Sequence, residues 1–253
     1  MSNPANDFAA LLLAARRDHS AAIATLPAAL VPQDRAAAYA VQHQVAATFG
    51  GIGGWKVGAP GGGEPICGAL PASGVQASPT SLTAATHPYR GIEAEVAFRM
   101  AADLPPRATP YSRAEVVAAI AGMYPVIEVL ETRFVDPDSI DLLTNLADTQ
   151  SHGGLIYGPE RRDWQGIDLG AEHCQQFVDG KLHTERTGYP FGDILKMVEW
   201  MANTGAVWAG GLKAGQFITC GSWTGKACVA ANAKVRVLFP SLGEVFVDYT
   251  PLG

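Results

Sequence analysis

Between Gly91 and Phe98 the chain reads Gly-Ile-Glu-Ala-Glu-Val-Ala-Phe, a strict alternation. As a β-strand it places Ile92, Ala94, Val96 and Phe98 on one face, and Glu93, Glu95 and Ala97 on the other. Two carboxylates then project the same way. At an effective dielectric near ~20, two carboxylates ~4 Å apart repel by about 4 kcal/mol. A solvated strand face tolerates that repulsion, and taken alone the stretch is more often such a face. A sheet wall facing a cleft needs a cation instead. With no Cys or His beside them, these oxygens suit a hard divalent ion, magnesium or manganese.

Two further stretches shift the balance toward a cation site. Val126-Ile127-Glu128-Val129-Leu130 is apolar except for Glu128. A carboxylate inside such a run is costly unless it is paired or bound to metal, so Glu128 supplies the third oxygen ligand. Trp55-Lys56-Val57-Gly58 encloses a lysine among apolar neighbours after a run of glycines. The glycines match neither a dinucleotide fingerprint nor a phosphate loop. A desolvated Lys56 has a lowered pKa and becomes a usable acid or base.

Composition excludes several classes. With 253 residues, 48% of them hydrophobic and 17% charged, the chain can bury a large core and is not disordered. A net charge of −6 without a basic run argues against nucleic acid as a partner. No 18-residue apolar run exists to span a membrane. Near the N-terminus, Asp7 and the apolar run Phe8 to Ala15 precede Arg16-Arg17, the reverse of a secretory signal. Cys67, Cys174, Cys220 and Cys228 lack metal-ligand spacing and read as free, mostly buried thiols of a cytoplasmic protein.

The spacing predicts one amphipathic helix over 5–25, packed on the domain or on a partner subunit, and broken by Pro27 and Pro32. A second helix runs from an Asp34 N-cap to Phe49, with Gly50 as its stop. Residues 60–79 read as loop. Ser112 and Glu115 form a capping box for a helix that buries Val116, Val117, Ile120 and Met123 and ends before Pro125. Residues 146–154 read as a polar loop. Asp148, Ser151 and His152 lie too close in sequence for a hydrolytic triad, so they line a cleft or support it. Asp179-Gly180 turns a hairpin. A helix spans 192–208, and short strands follow to the end. The chain divides into an N-terminal helical segment, 1–50, and a catalytic domain, 51–253.

Taken together, several pieces resemble the fumarylacetoacetate hydrolase superfamily, and within it the 2-hydroxypentadienoate hydratase and 4-oxalocrotonate decarboxylase branch. They are Ala38 to Gln42, Trp55 to Gly58, Glu93 to Phe98, Ile127 to Val129 with Arg133, Ala147-Asp148 through Gly153, Leu212 to Gly215, Ile218 to Ser222, and Leu242 to Val245. The resemblance implies an α+β fold, a mixed β-roll with flanking helices. It implies magnesium or manganese on Glu93, Glu95 and Glu128, proton transfer by Lys56, and Ser151 and Ser222 near the substrate carboxylate; His152, a cleft residue that stands where the family usually has a small one, is counted with them as substrate-binding. It implies a homo-oligomeric hydratase acting on a short 2-hydroxydienoate or 2-oxo acid from aromatic or cyclic compounds. The alternatives are a 2-oxo-3-enedioate decarboxylase, a C–C hydrolase of acylpyruvates, or a metal-binding scaffold without activity. One departure stands out. The branch usually carries an acidic pair after a Gly-x-Leu segment, whereas this chain has Gly68-Ala69-Leu70-Pro71-Ala72-Ser73. The group that handles water must then come from elsewhere, with His43, Glu64 and His152 as candidates.

Overall fold

In the computed structural model, residues 3–250 are described, so the extreme ends of both expected segments, 1–2 and 251–253, lie outside the described residues. The helices are α1 (Pro4–Arg17), α2 (Arg35–Thr48), α3 (Arg113–Ala118), α4 (Leu142–Ala147) and α5 (Leu195–Trp200). The strands are β1 (Ile52–Gly58), β2 (Ile66–Pro71), β3 (Val75–Ala77), β4 (Thr80–Thr83), β5 (Gly91–Met100), β6 (Ile120–Leu130), β7 (His152–Tyr157), β8 (His173–Val178), β9 (Lys181–Thr187), β10 (Phe217–Thr219), β11 (Ala227–Cys228), β12 (Lys234–Phe239) and β13 (Gly243–Thr250).

β5 and β6 form the longest ladder, antiparallel from Gly91–Leu130 to Met100–Ile120. They sit at the centre of an eight-stranded mixed sheet ordered β2-β1-β10-β5-β6-β7-β3, with β11 added on β5. A five-stranded sheet, β4-β13-β12-β8-β9, packs against it. Ile92, Ala94, Val96 and Phe98, the apolar face read from the alternation, enter the core with Trp55, Val235, Val237 and Phe239. Glu93 and Glu95 point to the other side, as their parity requires.

A second core joins α1, α2 and α4 through Phe8, Leu12, Val41, Val45, Phe134 and Leu146. Phe8 and Leu12 are fully buried within this chain. Burying a side chain of that size contributes roughly 1.5–3 kcal/mol, which holds the N-terminal helix to the roll. Among the described residues no helix is long and apolar enough to cross a membrane. Cys67, Cys174 and Cys220 are buried, Cys228 is exposed, and all four are unbridged.

Four expectations need correction. The first helix does not reach residue 25. It stops at Asp18, whose backbone is extended and whose carboxylate caps the following turn by accepting from the Ser20 amide. Residues 60–79 are not all loop, because Ile66–Pro71 is a wholly buried strand paired with β1. The capping box at Ser112 forms, but its helix ends at Ala118. The apolar spacing of Ile120 and Met123 serves the β5 ladder instead, and the strand continues through Pro125 opposite Val96. The helix expected over 192–208 is α-helical only over Leu195–Trp200, then widens to a π-turn over Met201–Gly205. By contrast, α2 follows its reading closely: Asp34 accepts from the Ala37 amide and Phe49 caps the end.

Candidate metal centre

The strand register creates the site. Glu93 on β5 lies directly opposite Glu128 on β6, with Glu95 opposite Val126. Like charges facing each other across a ladder are destabilising. The three side chains converge nonetheless, each offering an oxygen within 4.8 Å of the others. Glu95 and Glu128 are buried, and Glu93 is half-buried.

Lys56 comes from β1, where it faces Gly68 of β2. A Cβ at Gly68 would lie 2.9 Å from Lys56 Cγ, so glycine there lets the lysine stem lie across β2. Lys56 Nζ ends 2.7 Å from Glu128 Oε1 and also donates to the Gln150 carbonyl at 3.1 Å. Burial pushes the ammonium toward neutrality, but the charges of Glu128 and Glu93 outweigh it and hold the pKa above the usual value. The lowered pKa expected for Lys56 is thereby corrected: its surroundings are apolar in sequence and anionic in space.

Glu128 answers to the same balance. Burial raises it, yet Lys56 and the His152 hydrogen bond bring it below its ordinary value. Glu95 and Glu93 have no such partner. Burial and the Glu128 charge push Glu95 up to about 8 and Glu93 up to about 7. Glu95 is oriented by the Thr219 hydroxyl and by the Gly221 amide, which donates at 3.0 Å. Glu128 Oε2 is buried and has no hydrogen-bond partner. Such an orphaned acceptor is expensive. With two carboxylates driven toward protonation beside it, the donor set is oxygen-only, over-anionic and suited to a hard divalent cation.

His152, the first residue of β7, places Nδ1 3.3 Å from Glu128 Oε1 and is 1% exposed. Burial lowers it to about 4, so it meets Glu128 as a neutral imidazole donating Nδ1–H. Among the three candidates for handling water, His152 alone touches the cluster. His43 lies against the Trp208 ring, and the exposed Glu64 pairs with Arg35 at 3.0 Å.

The two serines are not hydrogen-bonded to the carboxylates. Ser151 donates to Asn145 Oδ1 at 3.3 Å, and Ser222 accepts from the Gly225 amide at 3.0 Å. Ser151 closes an unusual turn: Thr149, Gln150 and Ser151 have φ of 55°, 53° and 60°. Left-handed backbone costs non-glycine residues roughly 1–2 kcal/mol each, so neighbouring structure must hold it. Arg133 does so. Its Nε meets Asp148 Oδ1 at 2.5 Å, and its other nitrogens donate to the Asp148 and His152 carbonyls at 2.9 Å. This clamp fixes the loop that delivers the Gln150 carbonyl to Lys56 and His152 to Glu128. Asp148 is thus structural.

Sequence reading passed over Gln150, Thr219 and Gly221. Gln150 acts through its carbonyl, which any residue carries, and only the left-handed turn aims it. Thr219 and Gly221 lie within the recognised Ile218 to Ser222 piece, so their position was visible although their contact with Glu95 was not.

No family model matches the chain. Over 159 residues it is 27% identical to 2-hydroxyhexa-2,4-dienoate hydratase of Comamonas testosteroni, a match covering 62% of this chain and 59% of that relative. Among solved structures, 4-oxalocrotonate decarboxylase from Pseudomonas putida G7, complexed with magnesium and adipate, is similar at a TM-score of 0.80, 22% identity and 97% coverage of both chains. Its complex with calcium and acetate gives a TM-score of 0.78 at 22% identity, over 97% of this chain and 96% of that one. A fumarylacetoacetate hydrolase family protein from Yersinia pestis CO92 gives 0.55 at 14% identity, over 77% of this chain and 90% of that one. The chain shares the mixed α+β fold of these structures, as expected. The relative similar in sequence is named a hydratase and the structures similar over nearly the full length are of a decarboxylase.

Proposed function

We propose that this chain is a divalent-metal-dependent lyase that enolises a short 2-oxo acid, with hydration of a 2-hydroxydienoate as the first-ranked reaction, in the breakdown of aromatic or cyclic compounds. The observation that carries the reading is the convergence of Glu93, Glu95 and Glu128 within 4.8 Å, with Lys56 2.7 Å from Glu128. Glu93, Glu95 and Glu128 would hold magnesium or manganese. When bound, such an ion polarises the 2-oxo group and stabilises the negative charge that develops on its oxygen.

The chain's own residues do the rest. Lys56 reaches into the site as an ammonium, held by Glu128 and the Gln150 carbonyl, and moves the proton between substrate oxygen and carbon. His152 fixes Glu128 from behind and stays neutral. Thr219 and the Gly221 amide keep Glu95 turned inward. Ser151 and Ser222 serve the substrate carboxylate only after turning from their present partners. The same reading takes the enzyme to be a cytoplasmic homo-oligomer.

Decarboxylation of a 2-oxo-3-enedioate is the second reading. It is favoured by one observation: no carboxylate stands at Ala72 or Ser73, and of the candidate water-handling groups His152 alone touches the cluster. Water addition needs a base, typically worth 10²–10⁴-fold, whereas loss of carbon dioxide needs only charge stabilisation and a proton. The test is incubation with magnesium or manganese and, separately, 2-hydroxypenta-2,4-dienoate, a 2-oxo-3-enedioate and an acylpyruvate, followed by absorbance and mass. Rapid hydration is expected. Decarboxylation or cleavage without hydration would overturn the first ranking, and no turnover on any of them would overturn the lyase reading.

A further inference from the structure

A cavity of about 210 Å³ opens between the N-terminal segment and the roll, walled by Arg16, Ser73, Gly74, His87, Arg133 and His152 among others. None of Glu93, Glu95, Glu128 and Lys56 lines it. Two of its polar atoms are buried without partners, Arg16 Nε and His152 Nε2. His152 Nε2 faces the cavity side, since a Cβ at the wall residue Gly74 would lie 3.8 Å from it.

Arg16 is the telling group. Its side chain is 12% exposed, and its paired carboxylate, Asp148, lies 4.0 Å away. That carboxylate already belongs to Arg133, at 2.5 Å. Burial and the neighbouring Arg133 charge push the Arg16 guanidinium down to about 9. A desolvated charge whose carboxylates are shared or distant is costly, and an incoming acceptor lowers the cost. Glu131 also lines the wall, but its carboxylate is engaged by the Tyr89 and Thr132 amides, both at 3.0 Å. Arg133 and Asp148 cancel. Arg16 and Glu131 then stand as one charge of each sign on the wall, and with the Glu131 oxygens taken by amides the Arg16 Nε–H is the donor left without an acceptor, which a carboxylate oxygen supplies at less charge cost than a phosphate dianion. The volume equals roughly seven water shares of ~30 Å³, room for a carboxylate bearing a few carbons.

We propose that this cavity is a carboxylate-binding site, with the Arg16 guanidinium as its charged anchor and the Ser73 hydroxyl as a polar contact. His152 is the only wall shared with the carboxylate cluster: one imidazole touches Glu128 through Nδ1 and turns Nε2 toward the cavity. The carboxylate is therefore either the far end of a dicarboxylic substrate or a free acid.

The test is calorimetric titration of sodium acetate into the metal-free protein. Saturable binding is expected, weakened about tenfold, ~1.4 kcal/mol, in Arg16→Gln. Ser73→Asp plants a tethered carboxylate in the cavity and is expected to abolish acetate binding while raising the thermal midpoint. Equal acetate binding by all three proteins, or no saturable binding by wild type, overturns the proposal. A second arm compares 2-oxoadipate with 2-oxohexanoate on the magnesium-loaded protein. A preference for the diacid that disappears in Arg16→Gln assigns the site to the substrate's far end. Equal affinity, with acetate still bound, assigns it to a free acid. Failure of the metal reading would appear separately, as binding of both 2-oxo acids that does not depend on magnesium.

Discussion

Two buried ionic groups lie within one loop of each other and are built on opposite principles. In the Arg133–Asp148 clamp, charges balance one to one, and the guanidinium's hydrogen bonds end on the Asp148 carboxylate and on the Asp148 and His152 carbonyls. In the Glu93–Glu95–Glu128 cluster, three carboxylates share one ammonium, two are driven toward protonation, and one oxygen has no partner. A buried ion pair that is satisfied within the chain holds structure together. One that is left over-charged awaits something the chain does not supply. The strained Thr149–Ser151 turn links the two, so the satisfied clamp pays for the geometry of the unsatisfied cluster.

This contrast can be broken from either side. The largest effect is expected at Lys56. Lys56→Ala should reduce turnover by about 10²–10⁴-fold while leaving the thermal midpoint of the magnesium-loaded protein near wild type. Steady-state kinetics beside a melting curve checks it, and unfolding of the variant would make Lys56 a second structural pair. Asp148→Ala should do the reverse and act on stability first. It strands Arg133 as an uncompensated buried charge, a loss of roughly 3–5 kcal/mol, read from urea unfolding. A variant as stable as wild type would remove the clamp from the account.

A smaller effect sharpens the comparison through pH. Without metal, Glu93 and Glu95 keep their protons to about 7 and 8, above the ordinary value of 4.5. Between about pH 6.5, the ordinary histidine value above which the buried His152 no longer acts in the opposite sense, and about pH 8, these carboxylates leave the folded chain with more protons than the unfolded chain, so stability falls as pH rises. Saturating magnesium should flatten that slope, because the ion takes the place of the protons. Thermal midpoints across the range, with and without magnesium, measure it. A flat profile in the metal-free protein would mean that the carboxylates do not repel.

What could be read in advance follows the physics of each feature. The Gly91–Phe98 alternation separated the apolar face from the face of the two glutamates correctly because side-chain parity in a strand is local. Glu128 stood out because a lone carboxylate in an apolar run has no cheap explanation. The meeting of Glu128 with Glu93 was not local, since it depends on the β5–β6 register. The strand at Ile66–Pro71 was hidden by its glycine and flanking prolines, although that glycine is what makes room for Lys56. The sign of the Lys56 shift was misread because its sequence neighbours are apolar while its spatial neighbours are acids. Arg16 and His87 gave no signal at all, since the cavity they line joins segments far apart in the chain.

The central claim is that Glu93, Glu95 and Glu128 together hold one divalent ion. Elemental analysis of wild type and Glu128→Ala, purified alike and equilibrated with magnesium or manganese, tests it most directly. Stoichiometric metal in wild type and its loss in Glu128→Ala is the predicted result. Equal stoichiometric metal in both proteins would contradict it.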